Sequence, residues 1–203
     1  MRIGRNSVSW VMAAVALGTT VAVAPIGSTG QAQEDIETAI TRRVNAYFEQ
    51  MRARPFRGRL TGCGGWDCND ARITIQMPGK VRIEYDYGST VLADGTDLIT
   101  YNRTEELHRA PIDETDLSLL LAGQLGDEVE VDAVEEIGEG SGAMYTVEVS
   151  RGRRHMTLFF SKQPFRLAGW AVDGPRGGFR AQVRGLRAAR NVPADTFRPL
   201  QFN

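Results

Sequence analysis

Hydrophobic and polar positions recur along this chain with two different periods, and the change from one to the other divides it. From Glu34 to Arg54 the apolar side chains are Ile36, Ile40, Val44, Tyr47, Phe48 and Met51. Steps of three and four put them on one stripe of an amphipathic helix. Asp35 and Glu37 stand near its expected start and Arg52 and Arg54 near its end, as the helix dipole favours. Pro55 lacks a backbone N–H and ends the helix. Such a stripe is expected to pack on the domain's own core.

From Phe56 the period falls to two. Phe56, Gly58, Leu60 and Gly62 alternate with Arg57, Arg59 and Thr61. Ile73, Ile75 and Met77 follow, then Val81, Ile83 and Tyr85 against Arg82, Glu84 and Asp86. These are strands with one apolar and one polar face. Further strands are expected at 90–93, 98–101, 106–110, 128–134, 145–149, 155–160, 165–172 and 179–186. Pro78-Gly79, Asp94-Gly95, Gly138–Gly142, Gly152 and Gly174-Pro175 supply turns. About eleven short strands at regular spacing predict a mainly β protein with helices, an antiparallel barrel or sandwich.

One segment interrupts the strands. Asp116–Gly123 reads as a short helix, capped by Thr115 or Asp116 and stopped by Gly123. Leu117, Leu119, Leu120 and Leu121 crowd nearly all round it, so it should be buried or cover something apolar. No repeat, linker or low-complexity stretch follows, and one domain over residues 33–203 is the economical reading.

The segment before the helix has another purpose. Arg2 and Arg5 precede a run from Val8 to Ala24 that is apolar apart from Ser9, Gly18, Thr19 and Thr20. Gly30-Gln31-Ala32 then offers small residues. That order is a secretory signal peptide over residues 1–32, with cleavage expected near Ala32 and export to the periplasm. The run is shorter than the ~20 apolar residues of a membrane span, which argues against an anchor. Removing Arg2 and Arg5 leaves 22 basic against 25 acidic residues, a net charge of −3. A nucleic-acid-binding domain would be strongly basic, so that class is excluded.

Candidate chemistry is sparse. His108 and His155 each fall within an expected strand, where a surface position on the polar face is the natural reading. With Cys63 and Cys68 they match no zinc spacing. No Gly-x-Ser-x-Gly elbow, phosphate-binding loop, dinucleotide fingerprint or His-Glu-x-x-His helix occurs. No catalytic residue, metal or cofactor is therefore assigned, and the chain is not expected to be an enzyme. Cys63 and Cys68 lie between two expected strands in an exported chain, so they are expected to form a disulfide stapling a hairpin.

Charge is unevenly spread. Ala110–Ser150 holds eleven acidic residues and no basic one, whereas Arg151–Asn203 holds eleven basic residues against Asp173 and Asp195. Strands of opposite sign could pair across a sheet. The functional alternative is a polarised surface that docks a partner.

Two runs carry a family resemblance: Met77-Pro78-Gly79-Lys80-Val81-Arg82-Ile83-Glu84-Tyr85, and Leu92-Ala93-Asp94-Gly95-Thr96-Asp97-Leu98-Ile99-Thr100-Tyr101-Asn102. With the leucines of Ser118–Ala122 and the closing Pro193-Ala194-Asp195-Thr196-Phe197, they resemble the LolA-type periplasmic lipoprotein carriers in that family's order, from about Val44 to Phe197. The resemblance implies an incomplete antiparallel barrel covered by helices, with an apolar cavity for lipoprotein acyl chains. It implies transfer from an inner-membrane ABC transporter to the outer membrane, where a receptor is a further candidate partner; a monomer is expected.

On that reading the acyl-contact candidates are Val81, Ile83, Tyr85, Leu98, Leu158, Phe160 and Trp170, and the candidate lid is Leu117, Leu119, Leu120 and Leu121. Family members often carry an arginine just before the proline to hold the lid shut. Met77 stands there in this chain, which leaves Lys80 or Arg82 to substitute. The aromatic residue often found at the position of Ile83 is missing as well. A regulatory sensor built on the same half-barrel is the alternative, although such proteins usually append a second domain and this chain ends shortly after Phe197. A secreted hydrolase is a third reading, and a polar, convergent cleft would mark it.

Overall fold

A computed structural model describes residues 29–64, 67–174 and 178–202. The expected signal peptide lies outside these residues, except that helix α1 (Thr29–Ala53) begins within it and contains the expected cleavage position. Asp35 and Glu37 consequently stand beyond the first turn, which holds no acid, and the dipole effect fades over that distance. The stripe from Ile40 to Met51 is buried as its spacing requires, whereas Ile36 is 46% exposed.

Eleven strands follow among the described residues: β1 (Phe56–Gly64), β2 (Asp67–Gln76), β3 (Lys80–Tyr85), β4 (Thr90–Asp94), β5 (Asp97–Tyr101), β6 (Glu106–Pro111), β7 (Glu130–Ile137), β8 (Met144–Arg151), β9 (Arg154–Ser161), β10 (Arg166–Val172) and β11 (Phe179–Ala188). They form one antiparallel sheet in the order β6-β5-β4-β3-β2-β1-β11-β10-β9-β8-β7. Each strand except β6 and β7 pairs on both sides. Those two are consecutive in sequence yet stand at opposite edges, so the barrel is incomplete. Helix α2 (Leu117–Leu121) belongs to the connection that joins the two edges. The chain thus crosses the open mouth where the strands do not close it.

Register aligns the apolar rows. Ile73 faces Ile83 and Ile75 faces Val81, while Trp170 lies between Leu158 and Ala181. Their side chains share one face of the sheet because side chains in register point to the same side. The stripe of α1 packs into this face, and Val44, Phe48 and Met51 are fully buried there. Among the described residues no helix is long and apolar enough to cross a membrane.

Two strand regions depart from simple alternation. Leu92, Ile99 and Tyr101 point to the outer face but are fully buried, and the partly buried Phe197 of the C-terminal segment packs against them. That segment is tied across the outer face: Arg82 Nη1 donates to Thr196 O at 3.3 Å, and Leu200 N–H donates to the Tyr101 hydroxyl at 3.3 Å. Edge strand β6 has no buried side chain, and Leu107 is 54% exposed. The bond between Cys63 and Cys68 is formed, linking directly paired residues at the β1–β2 hairpin.

Candidate functional site

The concave side of the sheet is filled at one end and open at the other. At the filled end Phe160 is enclosed by rings. Tyr47 and Phe48 of α1 lie 6.2 Å away, and Phe165 stacks on it at 5.1 Å. Arg43 covers the stack, with its guanidinium 4.3 Å from the Phe165 ring centre. Burial pushes the Tyr47 phenol up to about 12, outweighing the opposing influence of Arg166.

At the other end a cleft of about 820 Å³ remains. Its walls come from Ile83 and Tyr85 of β3, Val91 of β4, Leu98 of β5, Trp170 and Val172 of β10, and Phe179 of β11. Thr115, Asp116 and Leu117 approach from the connection that carries α2, and Glu114 and Asp173 add carboxylates. Among the described residues, none of α1 lines it. Tyr85, Val91, Leu98, Leu117, Val172 and Phe179 are only partly buried, so their apolar surface faces the cleft. Tyr87 stacks on Tyr85 at 5.2 Å, and burial, then this neighbour, raises the Tyr85 phenol above its ordinary value. The space suits an apolar ligand, since small-molecule sites are mostly apolar concavities of roughly 300–1,000 Å³.

The seven acyl-contact candidates divide between the two ends. Ile83, Tyr85, Leu98 and Trp170 line the cleft. Val81, Leu158 and Phe160 are buried in the packed core and are absent from the lining. Alternation places all seven on the inward face, but it carries no signal for how far α1 reaches along that face. Val91, Val172 and Phe179 join the lining and were not singled out from the sequence, although each lies on an expected strand.

The lid candidates divide as well. Leu119, Leu120 and Leu121 are buried in the main core, and Leu117 alone reaches the cleft. The helix stops where expected, at Gly123, whose φ of +71° suits glycine. A Cβ there would lie 3.0 Å from Met77 Cβ, so Met77 packs directly under the end of the lid.

Polar ties hold α2 from its C-terminal side. Gly79 N–H donates to Leu121 O at 2.8 Å, and Arg52 Nη2 donates to Gly123 O at 3.1 Å. Asn45 makes a reciprocal pair with Leu125: Nδ2 donates to Leu125 O at 2.9 Å, and Oδ1 accepts the Leu125 N–H at 2.8 Å. Arg82, one of the two residues left to substitute for the family arginine, makes none of these ties. Arg82 lies on the outer face with Glu84 and Thr196, and the lid's ties come from Asn45, Arg52 and Gly79. Bonds from side chains to distant carbonyls leave no periodic trace in a sequence, which hid them.

His108 and His155 are both exposed, and His155 has Asp132 3.8 Å away. Among the described residues no group of three or more metal-ligating side chains comes together.

No known family model matches the chain, and no curated protein sequence does. Among solved structures, an uncharacterized conserved protein from Thermus thermophilus aligns with a TM-score of 0.50 and 12% identity, over 79% of this chain and 93% of its own. That likeness is one of fold. A LolA superfamily protein from Nitrosomonas europaea aligns with a TM-score of 0.42 and 9% identity, covering 77% and 96% of the two chains. LprF from Mycobacterium bovis aligns with a TM-score of 0.39 and 11% identity, covering 76% and 96%. The open antiparallel half-barrel, with one long helix inside and a short helix across its mouth, is the architecture that the LolA-type resemblance implies.

Proposed function

We propose that this protein is an exported, non-enzymatic carrier that shelters acyl chains of lipoproteins and delivers them between the two membranes. The observation that carries this reading is the cleft of about 820 Å³ between Trp170 and Leu98, walled by partly buried apolar side chains and bordered by Leu117. Each methylene exposed to water costs ~0.8 kcal/mol, so an acyl chain needs cover throughout transit. A carrier must also let go. A cleft that is open on one side, bordered by Leu117 at the start of α2, permits both without a reaction or a cofactor. Ile83, Tyr85, Leu98, Trp170 and Leu117 are the residues of this reading that contact the chain.

The test is to identify what travels with the mature protein. Purification from periplasm should recover acylated lipoproteins, and inner-membrane vesicles carrying the lipoprotein-releasing transporter should hand lipoproteins to the purified protein. Recovery of a single regulatory membrane protein, without acylated cargo, would favour the sensor and sink the carrier. Failure to take up lipoproteins from the vesicles would sink it too.

A further inference from the structure

Opposite the cleft, the outer face of the sheet carries an arrangement that sheets ordinarily avoid. Arg59 on β1 is in direct register with Arg184 on β11 and with Arg72 on β2, and Arg57 is in register with Arg187. Like charges directly opposite one another are destabilising. A bulge produces part of this. Between the Arg59–Arg184 and Arg57–Arg187 pairs, β11 has one residue more than β1. The extra length at Gly185, with φ +62°, lets Arg184 and Arg187 share the outer face although they are three positions apart. At Gly58 the strands approach so closely that a Cβ would lie 2.8 Å from Arg184 O. Gly58 belongs to the inward row of Phe56 and Leu60, so only backbone separates Arg57 from Arg59 on the outer face, and Thr74 adds a hydroxyl to the groove.

The result is a groove of about 720 Å³ lined by Arg57, Arg59, Arg72, Arg166, Arg184 and Arg187, with Glu84 its one carboxylate. Charge within the fold neutralises little of it. Arg59 pairs with Asp86 at 3.0 Å, and Arg72 reaches Glu84 only at 3.7 Å, a carboxylate that also serves Arg82. Arg57 donates to the neutral Thr74 Oγ1 and Asn191 O, and Arg184 to Gln182 Oε1. Arg57, Arg166, Arg184 and Arg187 form no ion pair with any described residue. The acidic segment of the chain is engaged elsewhere: Glu128 pairs with Arg151 and Glu136 with Lys162, at the β7 side of the sheet. Pairing of opposite strands thus accounts for Arg151 and Lys162 and leaves the β11 arginines unexplained.

We infer that this groove is a docking site for an extended acidic segment of another protein. Guanidinium forks bind carboxylates through two parallel hydrogen bonds, which suits six arginines grouped along one groove. The recess favours a peptide over a membrane surface. A planar layer of headgroups would meet only its rims, and no exposed apolar side chain lines it to enter a bilayer. The site stands apart from the apolar cleft and does not rest on acyl binding.

A fluorescein-labelled peptide of alternating glutamate and serine is the probe, with binding read by anisotropy at low and moderate salt. The parent should bind it, and more weakly as salt rises. Arg166→Gln/Arg184→Gln/Arg187→Gln should weaken binding roughly tenfold or more, while Arg42→Gln/Arg103→Gln/Arg153→Gln removes equal charge elsewhere and should change it less than about twofold. The melting temperature of the groove variant should match or exceed the parent's, because opposed charges are relieved, and Arg184→Gln alone should show the same direction at smaller size. Equal losses in both triple variants, or no binding by the parent, would overturn the proposal. So would preferential binding to phosphatidylglycerol vesicles that the groove variant loses, or self-association that the groove variant abolishes.

Discussion

Phe160 and Trp170 sit on adjacent strands of one sheet, and both are almost wholly buried, yet their surroundings are opposite in kind. Around Phe160 the continuous stripe of α1 supplies Tyr47 and Phe48, and Phe165 completes a packed stack. Around Trp170 no described residue of α1 lines the cleft, and the five-residue α2 turns Leu119, Leu120 and Leu121 into the core while offering only Leu117 to the open space. A long amphipathic helix can fill a half-barrel along its length. A helix of little more than one turn can cover a mouth without filling what lies behind it. The difference separates two packing states of one sheet: one end holds the fold, and the other leaves apolar surface uncovered.

The sharpest way to break that contrast is to cut both ends. Phe160→Ala should cost roughly 3–5 kcal/mol of unfolding free energy, since a fully packed ring leaves a cavity. Leu98→Ala, at the partly exposed cleft wall, should cost under about 1.5 kcal/mol. Denaturant titration of both checks this, and equal losses would mean that the cleft wall is packed as tightly as the core.

The hairpin beside the cleft sharpens the comparison further. Gly64, next to Cys63, is in register with Phe179 of the cleft wall, so the disulfide braces that end. Replacing Cys63 and Cys68 by serine should lower stability by about 2 kcal/mol, the loop entropy regained by so short a loop. Lipoprotein delivery should continue, as assayed with inner-membrane vesicles. Loss of delivery in a folded variant would make the pair functional and not a staple.

A smaller effect tests the link between the two ends. Asn45 lies on α1 and bonds the segment after α2. Asn45→Ala should cost about 1–2 kcal/mol and, through local opening, speed amide exchange across residues 117–125 more than in β8 and β9. Uniform acceleration would show that α2 and the core open together.

A further effect, confined to alkaline solution, concerns the filled end. The buried Tyr47 phenol titrates near 12 when folded and near 10 when unfolded. Above pH 10 the unfolded chain therefore holds fewer protons, and stability falls as pH rises through the folded value, by up to roughly 2 kcal/mol from this group. Tyr47→Phe should flatten that alkaline loss in melts between pH 9 and 12. An unchanged slope would remove Tyr47 as its source.

Much of this architecture is legible in the residues. The period of two, punctuated by glycine and proline, gives all eleven strands, but β2 starts at Asp67 and not near Ile73, so Cys63 and Cys68 lie within paired strands. β7 starts at Glu130 and not Glu128, because Val129 O accepts the Gly126 N–H and Arg151 holds Glu128. Other features need the third dimension. Val91, Leu92 and Ala93 are all apolar, so alternation cannot reveal that Leu92 faces outward beneath the C-terminal segment. Nor can it show that Val81 and Leu158 end in core while Ile83 and Leu98 border open space. That boundary depends on where α1 stops contributing side chains, a property of packing and not of pattern.

The most direct measurement is where an acyl chain actually lies. A lipopeptide whose palmitoyl chain carries a diazirine would be bound, photolysed and mapped by mass spectrometry. The cross-links should fall on Tyr85, Val91, Leu98, Leu117, Val172 and Phe179, and Leu117→Gln, with folding intact, should reduce their yield. Cross-links confined to other surfaces, or a yield unaffected by changes in the cleft, would contradict the claim that this end of the half-barrel is kept open for acyl chains.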